Sequence, residues 1–124
     1  MEKIQILVGD VHCLLDKGAY IAAKEKIISA VKKVDASSEN YNYLLATIAG
    51  LFIDLGTESY DKESIDAGIK ILRENEKVVK ACMSDQSFNY NMGNGINALY
   101  KIQMRNVGLP TLEMIKPNLT EAKN

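Results

Sequence analysis

The chain has 124 residues, 47% hydrophobic, 25% charged and 6% aromatic, with a formal net charge of −1. That length fits one domain able to bury its own core without needing disulfides or a structural metal, and the composition excludes a disordered chain. The 15 basic and 16 acidic residues are interspersed, with Lys32-Lys33 the nearest thing to a basic run, so the charged stripe expected of a nucleic-acid binder is missing.

The apolar pattern is helical throughout. Met1-Glu2-Lys3-Ile4 carries an acid early and leads into an amphipathic pattern, unlike a signal peptide. No stretch approaches the roughly 18 apolar residues of a membrane span, so a cytoplasmic location with no membrane contact is expected. Ile4, Leu7, Val8, Val11, Leu14 and Leu15 share one face of a first helix. Gly18 stands where that helix should close in the left-handed conformation. A second stripe follows at once through Tyr20, Ala23, Ile27, Ala30, Val31 and Val34, and so short a link sets the two helices antiparallel.

A polar break at 35–40 precedes a third helix carrying Leu44, Leu45, Ile48, Ala49, Phe52 and Leu55, which Gly56 is expected to stop. The spacing then predicts a loop from Thr57 to Lys62. A fourth helix is expected to place Ile65, Ile69, Leu72, Val79 and Met83 on one side. Ser84-Asp85 opens a fifth, with Phe88, Met92, Ile96, Leu99 and Ile102 inward. Gly108, Pro110 and Pro117 then punctuate the chain, with one apolar turn at Leu112 and Ile115, until Asn118 and Glu121 stand at capping-box spacing. Cys13 and Cys82 lie among apolar residues and are expected to be buried in a reducing compartment.

Helix pairs with short links suggest a repeat. Gly18 to Ala23, with Ile27 and Ala30, resembles the second helix of a tetratricopeptide (TPR) repeat, and Leu7, Val11 and Leu14 fall at the large, small and large positions of its first helix. Asn89-Tyr90-Asn91-Met92-Gly93-Asn94 resembles a common first-helix phrase of that family, in which the small Gly93 lets helices approach. Leu119, Glu121 and Ala122 look like the opening of its partner helix. The middle pair fits with Leu45, Ile48, Ala49 and Phe52, followed by either Ala67 and Ile71 or Gly68 and Leu72.

Counted on Leu7, Leu45 and Asn89, the first helices start 38 and 44 residues apart, longer than the family's period of about 34. The resemblance therefore implies an irregular all-α solenoid of five to six helices, in antiparallel pairs over about 4–35, 42–83 and 86–124. A non-repeating helical bundle is the alternative. An array stopping inside its last helix is expected to be the N-terminal part of a longer protein, and its uncapped end is expected to self-associate.

Clusters that carry chemistry are scarce. His12 is the one histidine, and metal-ligand spacing is absent. Adjacent helix residues diverge by about 100°, which argues against Cys13 activated by His12. The glycines form no phosphate loop, and no cofactor is implied. In TPR proteins the first helices line a concave groove, which here implies Gln5, His12 and Asp16, then Tyr43, Thr47 and Asp54, then Tyr90, Asn91, Asn94 and Asn97. Asn94 falls at the groove asparagine that holds a bound peptide's backbone.

The positions that clamp an acidic chaperone tail are Val8, His12, Ser87 and Asn91, none of them a lysine or arginine. Asp16 and Asp54 tilt the groove toward a neutral or basic partner. The function implied is a non-enzymatic protein-interaction module that receives a partner segment or its own downstream domain. The alternatives are a regulatory sensor of a short signalling peptide and, less favoured, a helical-bundle enzyme.

Overall fold

The computed structural model describes residues 2–37 and 40–105, and every described element is a helix. In chain order these are α1 (Glu2–Asp16), α2 (Tyr20–Lys32), α3 (Tyr41–Ser59), α4 (Lys62–Glu74), α5 (Glu76–Lys80) and α6 (Asp85–Gln103). None is long and apolar enough to cross a membrane.

Helix α1 buries Ile4, Val11 and Leu15 along one stripe. It closes at Gly18, whose φ of 75° suits a residue without a Cβ. The N–H of Gly18 donates to the Leu15 carbonyl and that of Ala19 to Leu14, satisfying carbonyls the helix end leaves free. Helix α2 returns against α1 with Ala23 and Ile27 fully buried. Between α2 and α3, the Asp35 carboxylate accepts from the N–H and hydroxyl of Ser37.

Helix α3 is the axis of the molecule, contacting α1, α2, α4, α5 and α6. Val11, Leu15, Ala23 and Ile27 meet Ile48, Leu51, Phe52 and Leu55 on one side. Leu45, Ala49 and Ile53 meet Leu72, Val79 and Phe88 on another. A third cluster, Ile65, Ile69, Ala98 and Ile102, joins α4 to α6. Helices α1 and α2 pack together and both touch α3, just as α3 and α4 pack together and both touch α6. The result is a short, solenoid-like all-α stack in which the first helices of successive pairs are neighbours.

Several sequence expectations are corrected. Gly56 does not stop α3, which runs through Thr57 to Ser59 and ends on Tyr60 in the left-handed region, φ 56°. A Cβ at Gly56 would lie 2.7 Å from the Asp61 carbonyl oxygen, so this glycine serves the close crossing of α4. Gly68 has the same role from the other side, 2.6 Å from the Ala49 carbonyl. Gly68 and Leu72 are buried, whereas Ala67 and Ile71 are half-buried, which fixes the register of α4.

The expected fourth helix breaks at Asn75, with φ −121° and ψ 30°. The Asn75 side-chain amide donates to the Ile71 carbonyl, a local bond that competes with helix continuation. Ile96 is 48% exposed rather than inward. A Cβ at Gly93 would meet nothing within 4 Å among the described residues, whereas one at Gly95 would press on Ile69 and Ile53. Both cysteines are exposed: Cys13 lies on the far side of α1 from Val11, and Cys82 in the turn after α5. The expectations for Leu112, Ile115, Asn118 and the partner helix at Leu119, Glu121 and Ala122 lie outside the described residues, as does the array's final end.

Candidate functional site

The neighbouring first helices α1, α3 and α6 carry all ten groove candidates, and the structure draws four of them together. His12 Nε2 lies 3.3 Å from Asp54 Oδ2, joining α1 to α3. Asp54 in turn lines a shallow cleft of about 240 Å³ with Asn94 and Asn97 of α6. Its other walls are Thr57, Glu58 and Lys101, and Ile53 and Ala98, each 4% exposed, form an apolar floor. Helical spacing explains the wall: Asp54 and Glu58 stand four apart on α3, as do Asn97 and Lys101 on α6.

The cleft offers both hydrogen-bonding senses. The Asn94 and Asn97 amides donate and accept, the Asp54 and Glu58 carboxylates accept, and the Lys101 ammonium donates. Thr57 adds little, because its hydroxyl already donates to the Ile53 carbonyl at 2.6 Å. The His12–Asp54 contact is half-exposed on both sides, so it orients the two side chains with little energetic weight.

The other six candidates stand apart from this cleft. Gln5 and Asp16 are exposed near opposite ends of α1, and Tyr43 and Thr47 belong to the first two turns of α3. Tyr90 is 69% exposed on α6. The Asn91 amide donates to the Ser87 carbonyl within its own helix, which occupies one of its donors. His12 turns to Asp54, and its neighbour Cys13 is exposed beside it.

Sequence reasoning missed Glu58 and Lys101. Their signal was the four-residue step from Asp54 and Asn97, but α3 was expected to stop at Gly56, which removed Glu58 from any helix. It also missed a larger open cleft of about 760 Å³ between α1 and α2 beside the start of α3, with Ile4, Ile6, Leu7 and Leu44 among its walls. Asp10 and Lys26, which also line it, pair with each other at 3.5 Å.

Displaced ionisations lie outside the Asp54 cleft. The Ser37 N–H and hydroxyl hold the Asp35 carboxyl low, and the Glu76 carboxylate raises Lys80. Partial burial pushes the Asp61 carboxyl up, but bonds from Lys24, Ser64 and the Glu63 N–H outweigh it and leave the group lowered. Among the described residues no three His, Cys, Asp or Glu side chains converge as metal ligands would. Comparison with protein-family models, with curated proteins and with solved structures finds no match.

Proposed function

We propose that this chain is a protein-interaction module, TPR-like in its stacking, that receives an extended segment of a protein partner across α1, α3 and α6. The convergence of Asp54, Asn94 and Asn97 from two pairs on one cleft carries this reading. An extended peptide leaves backbone N–H and C=O groups unpaired, and carboxylates and amides set beside each other satisfy both. The contact order α1–α3–α6 supports the repeat reading, because only neighbouring first helices can present one continuous face.

Asp54 and Glu58 against the single Lys101 favour a neutral or basic segment over an acidic tail. The module works by binding without catalysis, needs no cofactor, and is assigned to the cytoplasm. Its test is retention of partners from source cells on the native chain beside an Asn94→Ala/Asn97→Ala double variant. A partner held by the native chain and released by the double variant is expected. Equal retention by both would overturn the groove reading, while Gln5→Ala, away from the cleft, should change nothing.

A further inference from the structure

Helix α6 has two seams. Phe88, Gly95 and Ile102 recur every seven residues and are buried against α3 and α4. On the opposite side Gln86, Asn89, Gly93, Ile96, Tyr100 and Gln103 follow one another at spacings of three and four, and all are exposed. That alternation has the three-and-four spacing of a seam between two helices, filled here by amides and Gly93 with Ile96 and Tyr100 as its large apolar members. Exposed helix faces in soluble proteins are ordinarily charged, yet from Gln86 to Tyr100 there is no charged residue at all. Ile96 and Tyr100 are 48% and 60% exposed. Gly93 is a poor helix former, and a Cβ placed on it would meet nothing within 4 Å among the described residues.

We propose that this outer seam pairs with the same seam of a second copy, the two α6 helices running antiparallel. The residue order is self-complementary in that direction. Gly93 falls opposite the partner's Ile96, Asn89 opposite the partner's Tyr100, and Gln86 opposite the partner's Gln103. Each bulky side chain thus meets a small or short one, and the outermost layer pairs two amides. A two-fold interface sets the same patch of both copies face to face, so any net charge on that patch repels itself. This seam carries none, which suits a second copy over a charged partner. Asn94 and Lys101 of the Asp54 cleft lie on the flank toward α3, while Asn97 borders the seam; the pairing is argued from α6 alone and does not depend on the function proposed for the cleft.

One helix pair buries an area at the small end of stable interfaces, so the dimer should form in the micromolar range, on the order of 10 µM. Sedimentation equilibrium of the full chain from about 1 µM to about 1 mM should show the mass rising toward that of two chains across this range. Gly93→Leu and Ile96→Glu should each raise the dissociation constant at least about tenfold with helicity unchanged, since neither side chain is buried in its own fold.

Orientation is tested in a Cys13→Ser/Cys82→Ser background. Chains bearing Gly93→Cys, mixed with chains bearing Ile96→Cys, should oxidise to a mixed dimer several-fold faster than either forms a disulfide with itself. Equal rates would overturn the antiparallel register. A chain that stays monomeric overturns the proposal, including the case where residues 2–105 dimerise and the full chain does not, which would assign the seam to residues 106–124. A dimer indifferent to both seam substitutions overturns it as well.

Discussion

Helices α3 and α6 are each 19 residues long and nearly uncharged, yet the fold treats them oppositely. Helix α3 is surrounded and buries Leu45, Ile48, Ala49, Leu51, Phe52, Ile53, Leu55 and Gly56. Helix α6 buries only Phe88, Gly95, Ala98 and Ile102 and leaves Ile96, Tyr100 and Tyr90 exposed. Low charge therefore does not locate a helix in the core. The number of neighbours decides, and the apolar surface a helix lacks neighbours for is where outside contacts are to be sought.

The largest expected effect tests that contrast at two isoleucines. Ile48 is completely buried between α1, α2 and α3, so Ile48→Ala should cost about 3 kcal/mol, the transfer loss plus an unfilled cavity. Ile96→Ala, in dilute solution, should change stability by less than about 0.5 kcal/mol. Urea unfolding of both variants measures the difference. Equal losses would mean that the outer side of α6 is covered within the single chain.

The glycines sharpen the comparison with one substitution of identical chemistry. At Gly68 an added methyl would lie 2.6 Å from the Ala49 carbonyl oxygen, and backbone cannot yield as a side chain can. Gly68→Ala should therefore destabilise by about 2 kcal/mol through separation of α3 from α4. At Gly93 the same methyl meets open space, so Gly93→Ala should stabilise the dilute chain by about 1 kcal/mol. Thermal unfolding should show opposite signs, and two losses would remove the distinction between the inner and outer sides.

These glycines also show what was legible in the sequence. Periodicity set the helical class and the antiparallel first pair, and the chemistry of Gly18 and Ser84 marked a helix end and a helix start. A buried helical glycine, however, looks the same in sequence as a helix stop. Gly56 read as a terminus because its reason, the crossing of α4, lies in another helix. Asn75 breaks the chain through a single side-chain bond that periodicity cannot register. Asp54, Asn94 and Asn97 were placed on one face only through a repeat resemblance, since 40 residues separate the first two. Glu58 followed once the true end of α3 was known, and Lys101 from the four-residue step after Asn97 on α6.

The smallest effect concerns how each helix begins. Ser84 caps α6 locally, accepting from the Ser87 N–H at 3.0 Å. Asp61 caps α4 through the Glu63 N–H and also binds Ser64 Oγ at 2.8 Å and Lys24 Nζ at 2.9 Å, tying α2 to the α3–α4 side. Its carboxyl is lowered from 3.8, so the folded state binds its proton more weakly than the unfolded chain does. The stabilisation is complete above the unfolded value and is lost as pH falls through the folded one. Asp61→Asn preserves capping, since asparagine caps about as well as aspartate, but removes the charge opposite Lys24. At neutral pH the variant should be less stable by about 0.5 kcal/mol, the scale of a partly exposed ion pair. The gap should begin to close only as the medium is acidified below the unfolded value of 3.8, and vanish once the pH falls through the lower folded value, where the native carboxyl also loses its charge. Ser84→Ala should lose a similar or somewhat larger amount, about 1 kcal/mol, independent of pH over that range. A gap at Asp61 that persists in acid would mean that the carboxylate acts through its shape alone, with the link from α2 to α4 owing nothing to charge.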